Sequence, residues 1–218
     1  MKIKSITLET TDIKGTITFY TRILGLDLIK FNENSAIIKI GESTLSFIKN
    51  DSQEKPIYHF AFNIPSNQLF EAIEWSKNKL ELIKENEDII ISNFEKWNAN
   101  SVYFYDNNGN LLEFIARKDI NNNSIGPFGA NQILNISEIG IVVEKPDEYG
   151  KYLIEKYDLQ LFEKNDNNNI FTAIGDDEGL LIIVIMKRNW YPTQISSKSY
   201  KTGIELINKE DRHIIQIE

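Results

Sequence analysis

The chain has 218 residues, with 41% apolar, 11% aromatic and 26% charged residues and a formal net charge of −8. That is a globular profile, with enough chain for one large domain or two small ones. An acidic surface lacks the clustered Lys and Arg that nucleic acid or an anionic membrane would need, so neither is expected as a partner. There is no Cys, which excludes disulfides, thiolate nucleophiles and thiolate metal sites together. No apolar run approaches the roughly 20 residues of a membrane span. The N-terminal stretch reads as a strand rather than a signal peptide, and the expected location is the cytoplasm.

Three segments open alike: Ser5–Thr10, His59–Ile64 and Glu138–Val143. Each alternates polar or small residues with large apolar ones, the period of a half-buried strand. A turn and a helix follow each. The first helix starts near Asp12, an N-cap type. Its Ile13, Ile17, Tyr20 and Leu24 share one face, and Gly25 stands where a C′ glycine ends a helix. The second follows Pro65-Ser66 and the third Pro146-Asp147.

Short strands then follow each helix. They are predicted at Leu26–Phe31, Ser35–Ile40 and Thr44–Lys49, then at Ser101–Tyr105 and Leu111–Ala116, then at Leu159–Glu163, Ile170–Ile174 and Leu180–Met186. Ile89–Ile91 is a further candidate in a less regular stretch. Asn-rich Asn121–Gly129 reads as a linker. The tail is too short for a fourth module but holds two strands, Gly203–Asn208 and His213–Glu218. The expected fold is α+β: repeated βαβββ modules forming cupped mixed sheets, one complete module pair plus a shortened second pair. The expected domains are residues 1–120, with the first two modules paired, and a truncated domain over 130–218.

Three stretches carry a family resemblance: Asp12–Leu26, ending FYTRILGL; His59–Phe62; and Tyr103–Phe114, with its DNNGN turn. The chain resembles the vicinal oxygen chelate superfamily of glyoxalases, extradiol dioxygenases, fosfomycin-resistance enzymes and bleomycin-resistance proteins. The resemblance implies that two modules pair into a cup whose metal ligands come from first and last strands. By position the family's His, His, Glu set falls on Ser5, His59 and Glu113. Ser5 departs from it, since a neutral hydroxyl is a poor ligand. Alternation also puts Ser5, Thr7, Glu9, His59, Ala61, Asn63 and Glu113 on faces opposite the helices.

The resemblance thus implies an N-terminal cup with metal ligands His59 and Glu113 for a divalent ion of open identity. Glu113 and Glu9 are the catalytic candidates, although Glu9 reads more readily as a solvated rim carboxylate. Tyr103, Asn63 and Trp97 are the substrate-binding candidates, Trp97 as part of a lid. Three functions stay open: metal-assisted glyoxalase- or dioxygenase-like chemistry on a small oxygenated substrate, non-catalytic sequestering of a small molecule, as in bleomycin-resistance proteins, or an interaction module that has lost the chemistry with the first ligand. A homodimer is expected from the family. Arg117, just after the Glu113 strand, reads as a surface residue ahead of a clamp for an anionic group, and His213 reads as a surface residue. Glu138, the repeat equivalent of His59, is expected at a rim or beside a cation. Arg188, Trp190 and Pro192 read either as a cover for a cup in the second half or as a plain corner.

Overall fold

The structure is a computed structural model that describes residues 1–86 and 89–218. The first segment runs β1 (Lys2–Thr10), α1 (Ile13–Thr18), β2 (Leu28–Asn32), β3 (Ser35–Ile40) and β4 (Ser43–Lys49). Asp12 caps α1, its Oδ1 accepting from the Gly15 N–H at 2.9 Å. The helix loosens into a π turn over Phe19–Ile23, and Gly25 follows at a positive φ of 72°. The second segment runs β5 (His59–Ile64), α2 (Leu69–Ser76), β6 (Leu82–Ile83), β7 (Ser92–Phe94), β8 (Ala99–Tyr105) and β9 (Leu111–Arg117). The third runs β10 (Asn135–Val143), α3 (Pro146–Tyr157), β11 (Phe171–Asp176) and β12 (Gly179–Ile185). A last hairpin, β13 (Thr202–Asn208) and β14 (Asp211–Ile217), ends the chain.

Two predicted strands differ. Leu159–Glu163 forms only a single bridge, Leu161 to Ile174. The strand expected at Ile89–Ile91 lies three residues later, where Ser92–Phe94 pairs with Ala99–Ser101. No helix among the described residues is long and apolar enough to cross a membrane.

The strands form one mixed sheet, and its pairings differ from the expected ones. The first-segment strand β1 lies parallel to β4 on one side and antiparallel to β13 on the other. The second-segment strand β5 lies parallel to β9 and antiparallel to β10. The second segment therefore pairs with the third, and the first with the C-terminal hairpin. The expected N-terminal cup between segments one and two is not formed. Ser5 sits between Thr44 and Glu205, in the other half of the sheet.

The halves meet along a thin seam, since β1 and β10 share one register pair, Ile3 with Ile136. Buried Ser43 bridges it. Its Oγ donates to the Ile3 carbonyl at 2.6 Å and accepts from the Ile136 N–H at 3.1 Å. A second tie joins α1 to the β8–β9 turn. There the Tyr20 hydroxyl donates to Asp106 Oδ2 at 2.9 Å, and Asn108 Nδ2 donates to Thr16 Oγ1 at 2.8 Å. Burial pushes the Asp106 carboxyl up, relieved in part by hydrogen bonds from Asn110, Tyr20 and the Asn108 N–H. The two most recognisable sequence stretches thus hold each other in place.

Truncating Ser43 to Ala leaves one buried carbonyl and one buried N–H without their partner. The expected cost is about 1–3 kcal/mol in urea unfolding. An unchanged midpoint would show that the seam does not depend on this hydroxyl.

Candidate metal centre

Register alone assembles the site. Across the neighbouring strands β9, β5 and β10, Glu113 stands opposite Ala61 and Ala61 opposite Glu138. With strands spaced about 4.8 Å apart, the two carboxylates flank a small alanine in one row. His59 lies two residues along β5 on the same face. The placement of Glu138 depends on a bulge. The β5–β10 register shifts between Ile136 and Glu138, leaving Ser137 as the extra residue. Without that shift Ser137 would face Ala61, and Glu138 would face the side of Phe60.

One ligand atom from each of His59, Glu113 and Glu138 lies within 4.8 Å of the others. The three residues are 6%, 2% and 3% exposed. His59 Nδ1 lies 3.1 Å from the Leu111 carbonyl. Since a carbonyl only accepts, Nδ1 carries the proton and Nε2 keeps its lone pair. Nε2 lies 3.8 Å from Glu113 Oε2, against roughly 3 Å between adjacent ligands of one cation.

Each carboxylate is held on its other side. Ser101 Oγ donates to Glu113 Oε1. The Arg117 guanidinium, fully buried, donates to Glu138 Oε1, approaches Ser137 Oγ at 3.3 Å and lies 3.6 Å from Asp177. Its cation also faces the Trp97 ring, 5.6 Å from the centroid. Arg117 is therefore an internal counter-ion, not the surface residue expected from its position after the strand. A lone buried carboxylate would be costly, and this cation is what makes Glu138 tolerable.

Burial drives the protonation pattern. It lowers His59 to about 4, so the ring is neutral. Burial and the neighbouring Glu138 raise Glu113 to about 8, with Ser101, Arg117 and Tyr103 opposing the rise. Burial also raises Glu138, against the pull of Arg117. A neutral imidazole with a free lone pair beside two mutually repelling carboxylates is a donor set that fits a divalent cation.

These groups open into a cavity of about 320 Å³. Tyr103, opposite Glu113 on β8, and Trp97 line it. So do Trp190 and Tyr191 from the segment after β12. The Trp190 ring packs on His59 with centroids 5.1 Å apart. Gly140, one pleat pair beyond Glu138, admits it, because a Cβ there would sit 2.6 Å from the Trp190 ring. Of the two readings of the Arg188–Pro192 stretch, the cover over the cavity is the one formed.

Two candidates lie elsewhere. Glu9 is on β1, where its carboxylate accepts from Asn50 Nδ2 at 2.8 Å, and β1 belongs to the other half of the sheet. Asn63 shares the face of His59 but stands at the far end of β5. There it lines a separate groove with Asn122 and Asn135. The first follows from the changed strand partners, the second from the four positions that separate Asn63 from His59 along β5.

The sequence model of the Glyoxalase/Bleomycin resistance protein/Dioxygenase superfamily matches residues 2–114. The chain belongs to this superfamily. It is 31% identical over 118 residues to the metallothiol transferase FosB of Staphylococcus haemolyticus, which covers 51% of this chain and 80% of the relative. Among solved structures it is similar to a V278E mutant of glyoxalase I from Zea mays, with TM-score 0.62 and 15% identity over 93% of this chain and 73% of that one. It is also similar to a putative dioxygenase from Bacillus subtilis, with TM-score 0.59 and 17% identity over 84% of this chain. The match spans 63% of the latter's length. At these identities the structural likenesses bear on the fold alone. The matched residues 2–114 hold His59 and Glu113 but not Glu138.

The opposed shifts give a test without any ligand. Folded His59 is neutral above pH 6.5, and the unfolded ring, half protonated at 6.5, offsets only part of the Glu113 effect there and none of it above about pH 7.5. Between 6.5 and 8 the folded protein holds the Glu113 proton, which the unfolded chain, near 4.5, has released. The folded state binds more protons there, so stability of the chelator-treated protein falls as pH rises through that window. Urea unfolding at pH 6.5 and pH 8 checks the sign. A flat or rising stability would contradict the assigned burial.

Proposed function

We propose that this chain holds a divalent cation through His59, Glu113 and Glu138 and carries out glyoxalase- or dioxygenase-like chemistry on a small oxygenated substrate in the adjoining cavity. The convergence of three buried donors from three neighbouring strands carries this reading. Glu138 takes the place that the resemblance implied for Ser5. A set of one imidazole and two carboxylates suits the harder divalent ions, such as Mn²⁺ or Fe²⁺.

A cation held there would act as a Lewis acid on substrate oxygens. The chain's own groups position the donors. The Leu111 carbonyl sets the His59 tautomer, Ser101 orients Glu113 and Arg117 orients Glu138. Such partners fix ligand geometry as firmly as the ligands themselves. Tyr103, buried and beside two carboxyls, is pushed well above its ordinary value and keeps its proton. It can donate a hydrogen bond to a substrate oxygen without ionising. Trp97 and Trp190 narrow the approach of water.

The aromatic wall favours a second reading, binding of a small molecule without chemistry, as the bleomycin-resistance branch of the family name suggests. Metal content separates the two. Protein purified without chelator and titrated with Mn²⁺ is expected to bind one ion per chain. The variants His59→Ala and Glu138→Gln should weaken it by at least about 100-fold, the upper end of what losing a mere outer-shell partner costs, while Glu9→Gln should leave it unchanged. Absence of saturable Mn²⁺ binding, or equal binding by all three variants, would remove the metal reading.

A further inference from the structure

Two arginines stand close to the acidic pair, and they differ in what occupies them. Arg117 is taken by Glu138 and Asp177. Arg188 is not. It follows β12 on the covering segment and lines the cavity with His59, Glu113 and Glu138. Its guanidinium lies over the Phe171 ring, 5.0 Å from the centroid, and Nη1 donates to the Asn189 carbonyl at 3.1 Å. Among the described residues it forms no ion pair.

The side chain is half-buried, and desolvation lowers its affinity for a proton, with no acidic neighbour among the described residues opposing. Its charge is felt at His59, where it disfavours the imidazolium. A desolvated cation without a counter-ion is costly to maintain. Stacking on an aromatic face recovers part of that cost and also fixes the plane of the guanidinium fork.

The remaining walls are largely flat rings. Phe94, Trp97, Tyr103, Phe171, Trp190 and Tyr191 all line this one cavity, and at about 320 Å³ it is near the small end of ligand pockets. Rings offer stacking surface for a planar ligand. A planar, charged fork offers two parallel hydrogen bonds to a carboxylate.

We propose that the ligand of this cavity is a small aromatic carboxylate, its ring between the aromatic walls and its carboxylate on Arg188. This rests on the reading of the His59 cavity as the substrate site and names the class of substrate. Arg188 acts as a specificity residue, distinct from the three metal donors. It lies outside the residues matched by the family's sequence model, so the preference belongs to this chain's own C-terminal segment.

The test uses two probes of nearly equal shape, benzoate and its neutral counterpart benzamide. Binding is read by calorimetry and by quenching of the tryptophans, two of whose three members line the cavity. It is measured on the full chain, both chelator-treated and Mn²⁺-loaded. The wild type is expected to prefer benzoate by at least about tenfold, as a charge-assisted pair requires. Arg188→Gln should abolish that preference, and Arg188→Lys should restore part of it.

Equal binding of the two probes by the wild type, no binding of benzoate, or an undiminished preference in Arg188→Gln would overturn the proposal. Mn²⁺ affinity measured on the same samples separates the two claims. If the wild type binds no Mn²⁺, the metal reading fails, while the chelator-treated benzoate comparison still decides the role of Arg188. If Mn²⁺ binds equally to wild type and Arg188→Gln but the probes do not discriminate, the anion proposal fails alone.

Discussion

Two carboxylates and an imidazole share one buried spot between three strands, and this arrangement constrains everything around it. Charge is expensive inside a protein unless it is paired or hydrogen-bonded. The structure meets that cost with neutral His59, with a hydroxyl from Ser101 on Glu113 and with a wholly buried Arg117 on Glu138. None of these supports uses the oxygen of Glu113 nearest His59 Nε2. The supports come from the sides and leave the donors converging on a common point. That opening is where the proposed cation would sit.

The same constraint explains why β10 is irregular. A strand with strict alternation would place Ser137, not Glu138, beside Ala61. The single extra residue turns the carboxylate into the cavity and leaves Ile136 and Ile139 opposite Phe62 and Phe60 in the core. It also puts the Ser137 hydroxyl against Arg117. One backbone defect therefore aims an acid, helps to hold its counter-ion and preserves the core.

Much of the local architecture was legible because it is written in local periodicity and punctuation. Asp12 and Gly25 mark the first helix, and alternation marks β3, β9 and β12 to within a residue or so. The partner of each strand was not legible. Strands β1, β5 and β10 open with the same alternation, so any two could be neighbours on pattern alone. The matched stretches, Tyr20 and Asp106 among them, join segments one and two through α1 and a turn, not through their first strands. Pairing those strands moved Ser5 and Glu9 into a site they do not reach and left Glu138 without one. Arg117 was misplaced for a related reason: nothing before the fold shows that β9 and β10 lie on either side of β5. His59 and Glu113 were recoverable because both belong to one segment.

The C-terminal stretch gains its meaning from this pairing. As a fourth module it is too short, with two strands and no helix. Its hairpin instead completes the half of the sheet built on β1, through β13. The segment leading to that hairpin must cross from β12 in the other half, and the crossing passes over the cavity. Arg188, Trp190 and Tyr191 are carried there by the route the chain takes. Gly140 leaves the space that lets Trp190 settle against His59. One connection thus joins the halves of the sheet and supplies an aromatic wall and a cation of the site. Residues outside the matched part of the chain can therefore set what the matched part acts upon.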